Sequence, residues 1–246
     1  MTTIVLDIET IPDVAACQRA GVDPAEGFAV WPLQELFCVS LLTVTRDQDQ
    51  KHRFDLQTYS RTTMSERAIV AEVERQLDNA RTVMTFNGRA FDIPVLLARA
   101  AVTGEHVPNL LRSGSRSHAG FHVDLMDEIT AGGAAVRPRL IDVCAAFRIP
   151  AKQEIAGTSV ATLAALKDYG RIERYCETDV VSTWLAAQMW RSTQALGSGI
   201  EHWRELAGWI FAQQPRLAHL LPYVPAPTVS GGGAALDVDA ISHIDL

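Results

Sequence analysis

Acidic side chains stand in three short segments of the chain, and the first segment is Asp7-Ile8-Glu9. It ends an apolar run over residues 3–8, which predicts a β-strand. Side chains alternate along a strand, so Asp7 and Glu9 project from the same face. Neighbouring carboxylates repel each other unless a cation lies between them, and oxygen ligands at this spacing suit Mg²⁺ or Mn²⁺. Taken alone, this pattern is more typical of a solvated turn.

Two further segments contribute one aspartate each. Asp92 ends the segment Asn87-Gly88-Arg89-Ala90-Phe91-Asp92 at the start of a predicted helix, where the helix dipole favours a carboxylate. Asp179 follows Tyr175 by four residues within a predicted helix, so the two side chains lie on one face. Each segment also has a structural interpretation, as a helix N-cap at Asp92 and as a surface tyrosine–aspartate hydrogen bond at Tyr175 and Asp179.

Taken together, the four carboxylates of Asp7, Glu9, Asp92 and Asp179 favour a metal site. They are enough to hold two divalent ions roughly 3.5–4 Å apart, which would activate water and stabilise the leaving oxygen of a phosphodiester. The hydroxyl of Tyr175, one helical turn before the last carboxylate, would orient the attacking water. The combined pattern predicts metal-dependent hydrolysis of a phosphodiester.

The order of these segments resembles the three exonuclease motifs of the DEDD superfamily. The matching stretches are Asp7-Ile8-Glu9-Thr10, Asn87-Gly88-x-x-Phe91-Asp92-x-Pro94 and Tyr175-Cys176-x-x-Asp179. The histidine branch of the superfamily would place a histidine at position 174, which is an arginine here, so the tyrosine branch typified by the proofreading domain of family-B DNA polymerases fits better. More narrowly, residues 1–195 are similar to stand-alone bacterial 3′–5′ exonucleases related to that domain, also over the stretches 122–127, 149–152 and 157–160.

The resemblance implies an α/β, RNase H-like fold, with a mixed central sheet flanked by helices and a helical C-terminal part. It implies 3′–5′ hydrolysis at single-stranded nucleic acid ends with release of nucleoside monophosphates, DNA being favoured over RNA. By position, the metal ligands are Asp7, Glu9, Asp92 and Asp179, which would hold two ions of Mg²⁺ or Mn²⁺, and Tyr175 positions the water. The substrate-binding candidates are Thr10, Asn87, Phe91 and Lys152.

Hydrophobic patterning predicts the elements that must position these residues. Strands are predicted over 3–8, 36–45, 52–56 and 81–86, and helices over 64–77, 93–102, 139–147, 159–167, 169–193 and 200–219. Residues 13–34 are predicted to form a long loop with one short helix, and 112–120 a polar loop. The Pro- and Gly-rich composition after Pro222 predicts a domain over 1–221 and a tail over 222–246.

Composition limits the possible partners. The chain has 246 residues, 48% of them hydrophobic, and a formal net charge of −7, which excludes binding of nucleic acid by bulk positive charge. A local positive rim is expected instead, from Arg112, Arg116, Arg137 and Arg139. The four cysteines form no C-x-x-C pair, no apolar run reaches about 18 residues, and no signal peptide is evident, so a cytoplasmic protein without a membrane span is expected.

Two alternatives stay open at this point. One is a catalytically silent module that binds nucleic acid or recruits a protein partner through the tail; the other is a 3′ exonuclease of RNA or short oligonucleotides. Asp124 and Asp127 have a role near the site, cap the following helix or face solvent. The tryptophans at 203 and 209 are expected in the core rather than in a base-stacking surface.

Overall fold

A mixed β-sheet carries the first acidic segment. The computed structural model describes residues 1–27, 29–115, 120–150, 160–194 and 198–224, and in them the sheet has five strands. These strands are β1 (Thr3–Pro12), β2 (Gln34–Arg46), β3 (His52–Ser60), β4 (Thr82–Thr85) and β5 (His122–Asp124), in the spatial order β3-β2-β1-β4-β5. β1, β2 and β3 pair antiparallel, whereas β4 and β5 run parallel to β1.

Helices cover both faces of this sheet. They are α1 (Val14–Ala20), α2 (Glu66–Leu77), α3 (Asp92–Thr103), α4 (Pro108–Gly114), α5 (Leu125–Ile129), α6 (Leu140–Ala146), α7 (Val160–Ala165), α8 (Tyr169–Arg191) and α9 (Ser198–Ala212). Two 3₁₀ helices span Trp31–Leu33 and Ala218–Tyr223. Helices α2, α3 and α4 pack on one face, and α8 and α9 pack on the other. None of the helices in the described ranges is long and apolar enough to cross a membrane.

The alternation of side chains along β1 decides which way its carboxylates point. Ile4, Leu6 and Ile8 pack in the apolar cluster with α2, α3 and α4. Val5 packs in the cluster on the opposite face, with α8. Asp7 and Glu9 are in phase with Val5, so they project towards α8. A β-bulge follows directly, because the pairing of β1 with β2 shifts register between Glu9 and Thr10.

Helix α8 lies along β1 and is held on both sides. Val180, Val181 and Trp184 are buried against the sheet. On its other flank, Ser182 Oγ and Tyr223 Oη are 2.7 Å apart, and the Trp203 indole donates to the Tyr223 carbonyl at 2.9 Å. The segment from α9 to Tyr223 therefore packs on the helix that carries the third acidic segment.

The predicted α/β fold with a mixed, RNase H-like sheet and flanking helices is confirmed. The helix predicted over 200–219 is wrong in extent: α9 ends at Ala212, because Pro215 lacks the N–H that a continuing helix requires. The loop predicted over 112–120 begins inside α4, and strand β5 was not predicted at all. The tail from Pro222 stays a prediction; Tyr223 is buried in the core, and residues 225–246 lie outside the described residues.

A buried ion cluster ties the first strand to the helices behind it. The Arg99 guanidinium donates to both Glu66 carboxylate oxygens, at 2.8 and 2.7 Å, and to Asp13 Oδ2 at 2.9 Å. Glu66 also accepts the Leu36 backbone N–H at 2.8 Å. Arg99 thus links α3 to α2, to the start of β2 and to the residue that follows β1.

Replacement of Arg99 by methionine should strongly destabilise the fold. It keeps the apolar stem but leaves the buried Glu66 carboxylate without its guanidinium, a loss of about 3–5 kcal/mol in unfolding free energy. Arg75→Met is the control, because Arg75 pairs with Glu72 on the surface, where solvent screens the ion pair. Urea unfolding at neutral pH measures the unfolding free energy of both variants. Equal losses would show that the buried cluster stabilises the fold no more than the surface ion pair does.

Candidate active site

Three carboxylates meet where α8 crosses β1. Asp7 and Glu9 extend from β1, Asp179 extends from α8, and each offers an oxygen within 4.8 Å of the other two. Asp179 is buried and the other two are partly buried. Oxygen donors this close together fit a hard divalent cation, which would relieve their mutual repulsion. The structure therefore brings together three of the four predicted metal ligands in one group.

Asp92, the fourth predicted ligand, lies beside this group and lines the same cleft as Asp7 and Asp179. Burial raises its pKa to about 7, with the charges of Asp124 and Asp179 acting in the same direction. Backbone hydrogen bonds at Asp92 and Ile8 partly oppose the rise. Asp92 is thus close enough to the group to share its field, although it is outside the 4.8 Å set.

The Asp7 carboxyl is strongly perturbed by its surroundings. Burial is the main cause that raises its pKa well above the ordinary value, followed by the charges of Asp92, Asp179 and Glu9. The Cys176 thiol, 3.5 Å from Asp7 Oδ2, acts in the opposite direction. The charges of the other three carboxylates all act on Asp7, so Asp7 interacts both with the pair Glu9 and Asp179 and with Asp92.

Asp92 is presented by a tight turn that starts at Asn87. Asn87 adopts a left-handed conformation with φ 62°, which asparagine tolerates better than most residues. A Cβ atom on Gly88 would lie 2.5 Å from the Thr85 side chain, so this position requires glycine. The turn ends at Asp92, where α3 begins.

Asp124 at the end of β5 holds this turn in place. Its carboxylate accepts the backbone N–H groups of Asn87 at 2.8 Å and Arg89 at 2.9 Å, and also caps α5 through Met126 N–H at 3.0 Å. The Arg89 side chain in turn donates to Asp127 Oδ2 at 3.0 Å. Asp124 therefore caps α5 and also supports the turn that presents Asp92.

Tyr175 lies one turn before Asp179 on α8 and is partly buried. Burial raises the pKa of its hydroxyl, and the charges of Asp179, Glu9 and Asp7 raise it further. The hydroxyl therefore keeps its proton and can donate a hydrogen bond beside the carboxylates. This placement agrees with the i, i+4 spacing of Tyr175 and Asp179 in the sequence.

An open cleft of about 510 Å³ leads to the carboxylates. Asp7, Asp92 and Asp179 form its acidic side. The rest of the lining is mostly apolar, apart from Asn87 and two arginines, and consists of Ile8, Phe86, Asn87, Ala90, Phe91, Met126, Arg137, Pro138, Arg139 and Leu140. Such a cleft offers apolar surface for a base or sugar next to a site for cations.

The predicted substrate-binding residues separate into three groups. Asn87 and Phe91 line the cleft. Thr10 is buried next to the register shift, whose extra residue is Phe37 of β2, and it is not among the lining residues, so its role stays a prediction. Lys152 lies outside the described residues.

Two arginines of the predicted positive rim, Arg137 and Arg139, line the cleft. Arg112 lies over the Phe121 ring, 3.8 Å from its centroid, and is not among the lining residues. Arg116 lies outside the described residues. The rim is thus reduced, in the part of the chain that the structure describes, to the segment between α5 and α6.

Sequence comparison relates the chain to one protein family. The model of the family described as "Predicted 3'-5' exonuclease related to the exonuclease domain of PolB" matches residues 26–202. This span includes Asp92, Tyr175 and Asp179, whereas Asp7 and Glu9 precede it. No curated protein matches the chain in sequence.

Structure comparison finds similar structures within larger proteins. The family B DNA polymerase from the hyperthermophilic archaeon Pyrobaculum calidifontis matches with a TM-score of 0.54 and 16% identity, over 88% of this chain and 29% of the polymerase. Exonuclease I in complex with the inhibitor BCBP matches with a TM-score of 0.48 and 11% identity, over 89% and 45%. E. coli exonuclease I in complex with a 5cy-dA13 oligonucleotide matches with a TM-score of 0.43 and 14% identity, over 89% of this chain and 45% of the exonuclease. The chain spans less than half of each.

Replacement of Asp7 by asparagine should stabilise the metal-free protein at high pH. The folded carboxyl has a pKa above the unfolded value of 3.8, so the unfolded chain loses this proton first and stability falls as pH rises above that value. Asparagine removes this loss. Denaturant unfolding in EDTA should show a gain at pH 8 that disappears near pH 4. No gain is expected from Asp142→Asn, because Arg139 lowers the pKa of that carboxyl; an equal gain there would contradict the interpretation.

Replacement of Asp124 by asparagine should weaken metal binding without removing a ligand. The new amide group cannot accept both backbone N–H groups of the turn, so Asp92 loses its support; outer-shell changes of this kind cost about 10–100-fold in metal affinity. Asp127→Asn is the control, because within the described residues the Asp127 carboxylate contacts the side chains of Arg89 and Arg137 and not the backbone of the turn. Titration with Mn²⁺ followed by calorimetry measures both, and unchanged affinity in Asp124→Asn would contradict the positioning role.

Proposed function

The chain belongs to the family of predicted 3′–5′ exonucleases related to the exonuclease domain of PolB, and from that premise we propose that it hydrolyses single-stranded nucleic acids from their 3′ ends. The proposal includes two divalent ions, release of nucleoside monophosphates and a preference for DNA over RNA. The observation that carries it is the convergence of Asp7, Glu9 and Asp179 within 4.8 Å. Asp92 beside them completes a set of carboxylates at the base of one cleft.

The donor set fits the metal ions that the family implies. Asp7, Glu9 and Asp179 would hold one ion, and Asp7 with Asp92, on the cleft side, would contribute to the second. Bound Mg²⁺ or Mn²⁺ would lower the pKa of a water molecule and stabilise the charge on the leaving oxygen. Buried carboxylates whose mutual charges raise the pKa of Asp7 favour a cation in this place over an ordinary structural role.

The protein's own groups supply the positioning. The Tyr175 hydroxyl keeps its proton and orients the attacking water by hydrogen bonding. Phe86, Phe91 and Met126 offer apolar surface on which an unpaired terminal base can rest. Bases held in a duplex cannot present their faces in this way, which supports a single-stranded end as the substrate. The preference for DNA follows the relation of the family to a DNA polymerase domain.

A gel assay tests the reaction directly. Single-stranded DNA and RNA of one sequence, labelled at the 5′ end, should be shortened stepwise from the 3′ end in Mg²⁺ or Mn²⁺ and not in EDTA. Asp179→Asn should abolish the ladder, whereas Asp168→Asn, an exposed residue before the same helix, should leave it unchanged. A tight complex without shortening under any metal would favour the silent binding module instead.

Replacement of Tyr175 by phenylalanine should reduce kcat while the protein stays folded. Loss of a group that positions the water should slow the chemical step by about 10²-fold, near the lower end for such groups. Tyr169→Phe is the matched control, because Tyr169 begins the same helix and packs against Phe37 away from the cleft. Single-turnover rates compare the two variants; similar rates in both would remove Tyr175 from the mechanism.

A further inference from the structure

We propose that Arg137 binds a backbone phosphate of the substrate strand, on the 5′ side of the bond that is cut. The inference rests on the proposed function and assigns a contact to a cationic side chain that lines the same cleft as the carboxylates. Arg137 lies in the segment between α5 and α6, and no local sequence pattern relates this segment to the acidic segments. The guanidinium lines the cleft and has only weak contacts with other groups of the described structure.

The Arg137 side chain lies in the lining of the cleft, next to the turn that presents Asp92. It lines the cleft together with Pro138 and Arg139, and its Nη1 donates to Asn87 Oδ1 at 3.3 Å. Asn87 starts the turn that ends at Asp92. One neutral hydrogen bond therefore connects the guanidinium to the turn that presents Asp92, so Arg137 and Asp92 line the same cleft.

Arg137 keeps unused binding capacity. Its only ion pair in the described structure is to Asp127 Oδ1, at 3.8 Å, and the other oxygen of that carboxylate already accepts from Arg89 Nε at 3.0 Å. The side chain is 52% exposed, so this long pair is screened by solvent and weak. A guanidinium has five N–H donors, and a phosphate takes two of them in one plane.

Arg139, two residues further on, is held differently. Its Nε and Nη2 donate to the two oxygens of Asp142 at 3.0 and 2.8 Å, and the Arg139 backbone takes part in the same cap of α6. A phosphate would have to displace this bidentate partner. Of the two arginines that line the cleft, Arg137 is thus the one available to a ligand.

The charge of the cleft requires such a contact. Asp7, Asp92 and Asp179 face the strand, and the whole chain carries a net charge of −7. Bound ions offset the carboxylates at the phosphate that is cut, but the following phosphates still approach an acidic protein. A guanidinium in the lining of the same cleft provides the local attraction that the overall charge lacks.

A scan with neutral linkages tests the contact on the intact protein. Oligonucleotides carrying one methylphosphonate at the first, second or third linkage 5′ of the cleaved bond are hydrolysed by the unmodified protein, Arg137→Ala and Arg139→Ala. In the unmodified protein one linkage should lower kcat/KM by about tenfold. Arg137→Ala should show the same loss with the ordinary substrate, through KM, and no further loss at that linkage. Its salt dependence of log KM should be shallower by about 0.7.

The outcomes separate a phosphate contact from a structural role. Arg139→Ala should remain sensitive to the same linkage, and Arg137→Gln, which can still donate to Asn87, should behave as Arg137→Ala. The contact would be overturned if the loss from Arg137→Ala and the loss from the neutral linkage multiply at every linkage. It would also be overturned if Arg137→Ala leaves KM unaltered. If the unmodified protein hydrolyses no substrate in any metal, the proposed function fails; hydrolysis with Arg137→Ala unaffected refutes only this inference.

Discussion

Repulsion among the carboxylates at the base of the cleft is the constraint to which the rest of the structure responds. Without a cation, the charges of Asp92, Asp179 and Glu9 all oppose ionisation of Asp7. The apolar packing of β1 between two helical layers forces these groups together all the same. Part of the free energy gained from burial is therefore held as electrostatic strain, which protons or metal ions can relieve.

Charged groups outside the cleft keep the acidic side chains in their places. Arg99 of α3 links Asp13, which follows β1, to Glu66 of α2. Asp124 fixes the turn before Asp92 through two backbone N–H groups. Both depend on hydrogen bonds between distant parts of the chain, so the site inherits its geometry from tertiary contacts and not from the acidic segments alone.

Local periodicity was sufficient to predict which side chains share a face. The strand period placed Asp7 with Glu9, and the helical period placed Tyr175 with Asp179. Strand β5 was missed because three residues show no period, and with it the support that Asp124 gives to the turn. The bonds of Arg137 and Arg99 also leave no local pattern, since their partners are far away in sequence. The end of α9, by contrast, had a local signal in Pro215 that the periodicity of the apolar residues outweighed.

The packing of α9 and Tyr223 on α8 determines how far the chain must extend for α8 to stay covered. The family match ends at residue 202, one position before Trp203. Trp203, Ile210 and Tyr223 nevertheless belong to the same apolar cluster as Val180 and Trp184. A fragment cut at the edge of the family match would expose this side of α8 to water and loosen the helix that presents Asp179. The apolar cluster that supports α8 thus continues to Val224, beyond the end of the family match.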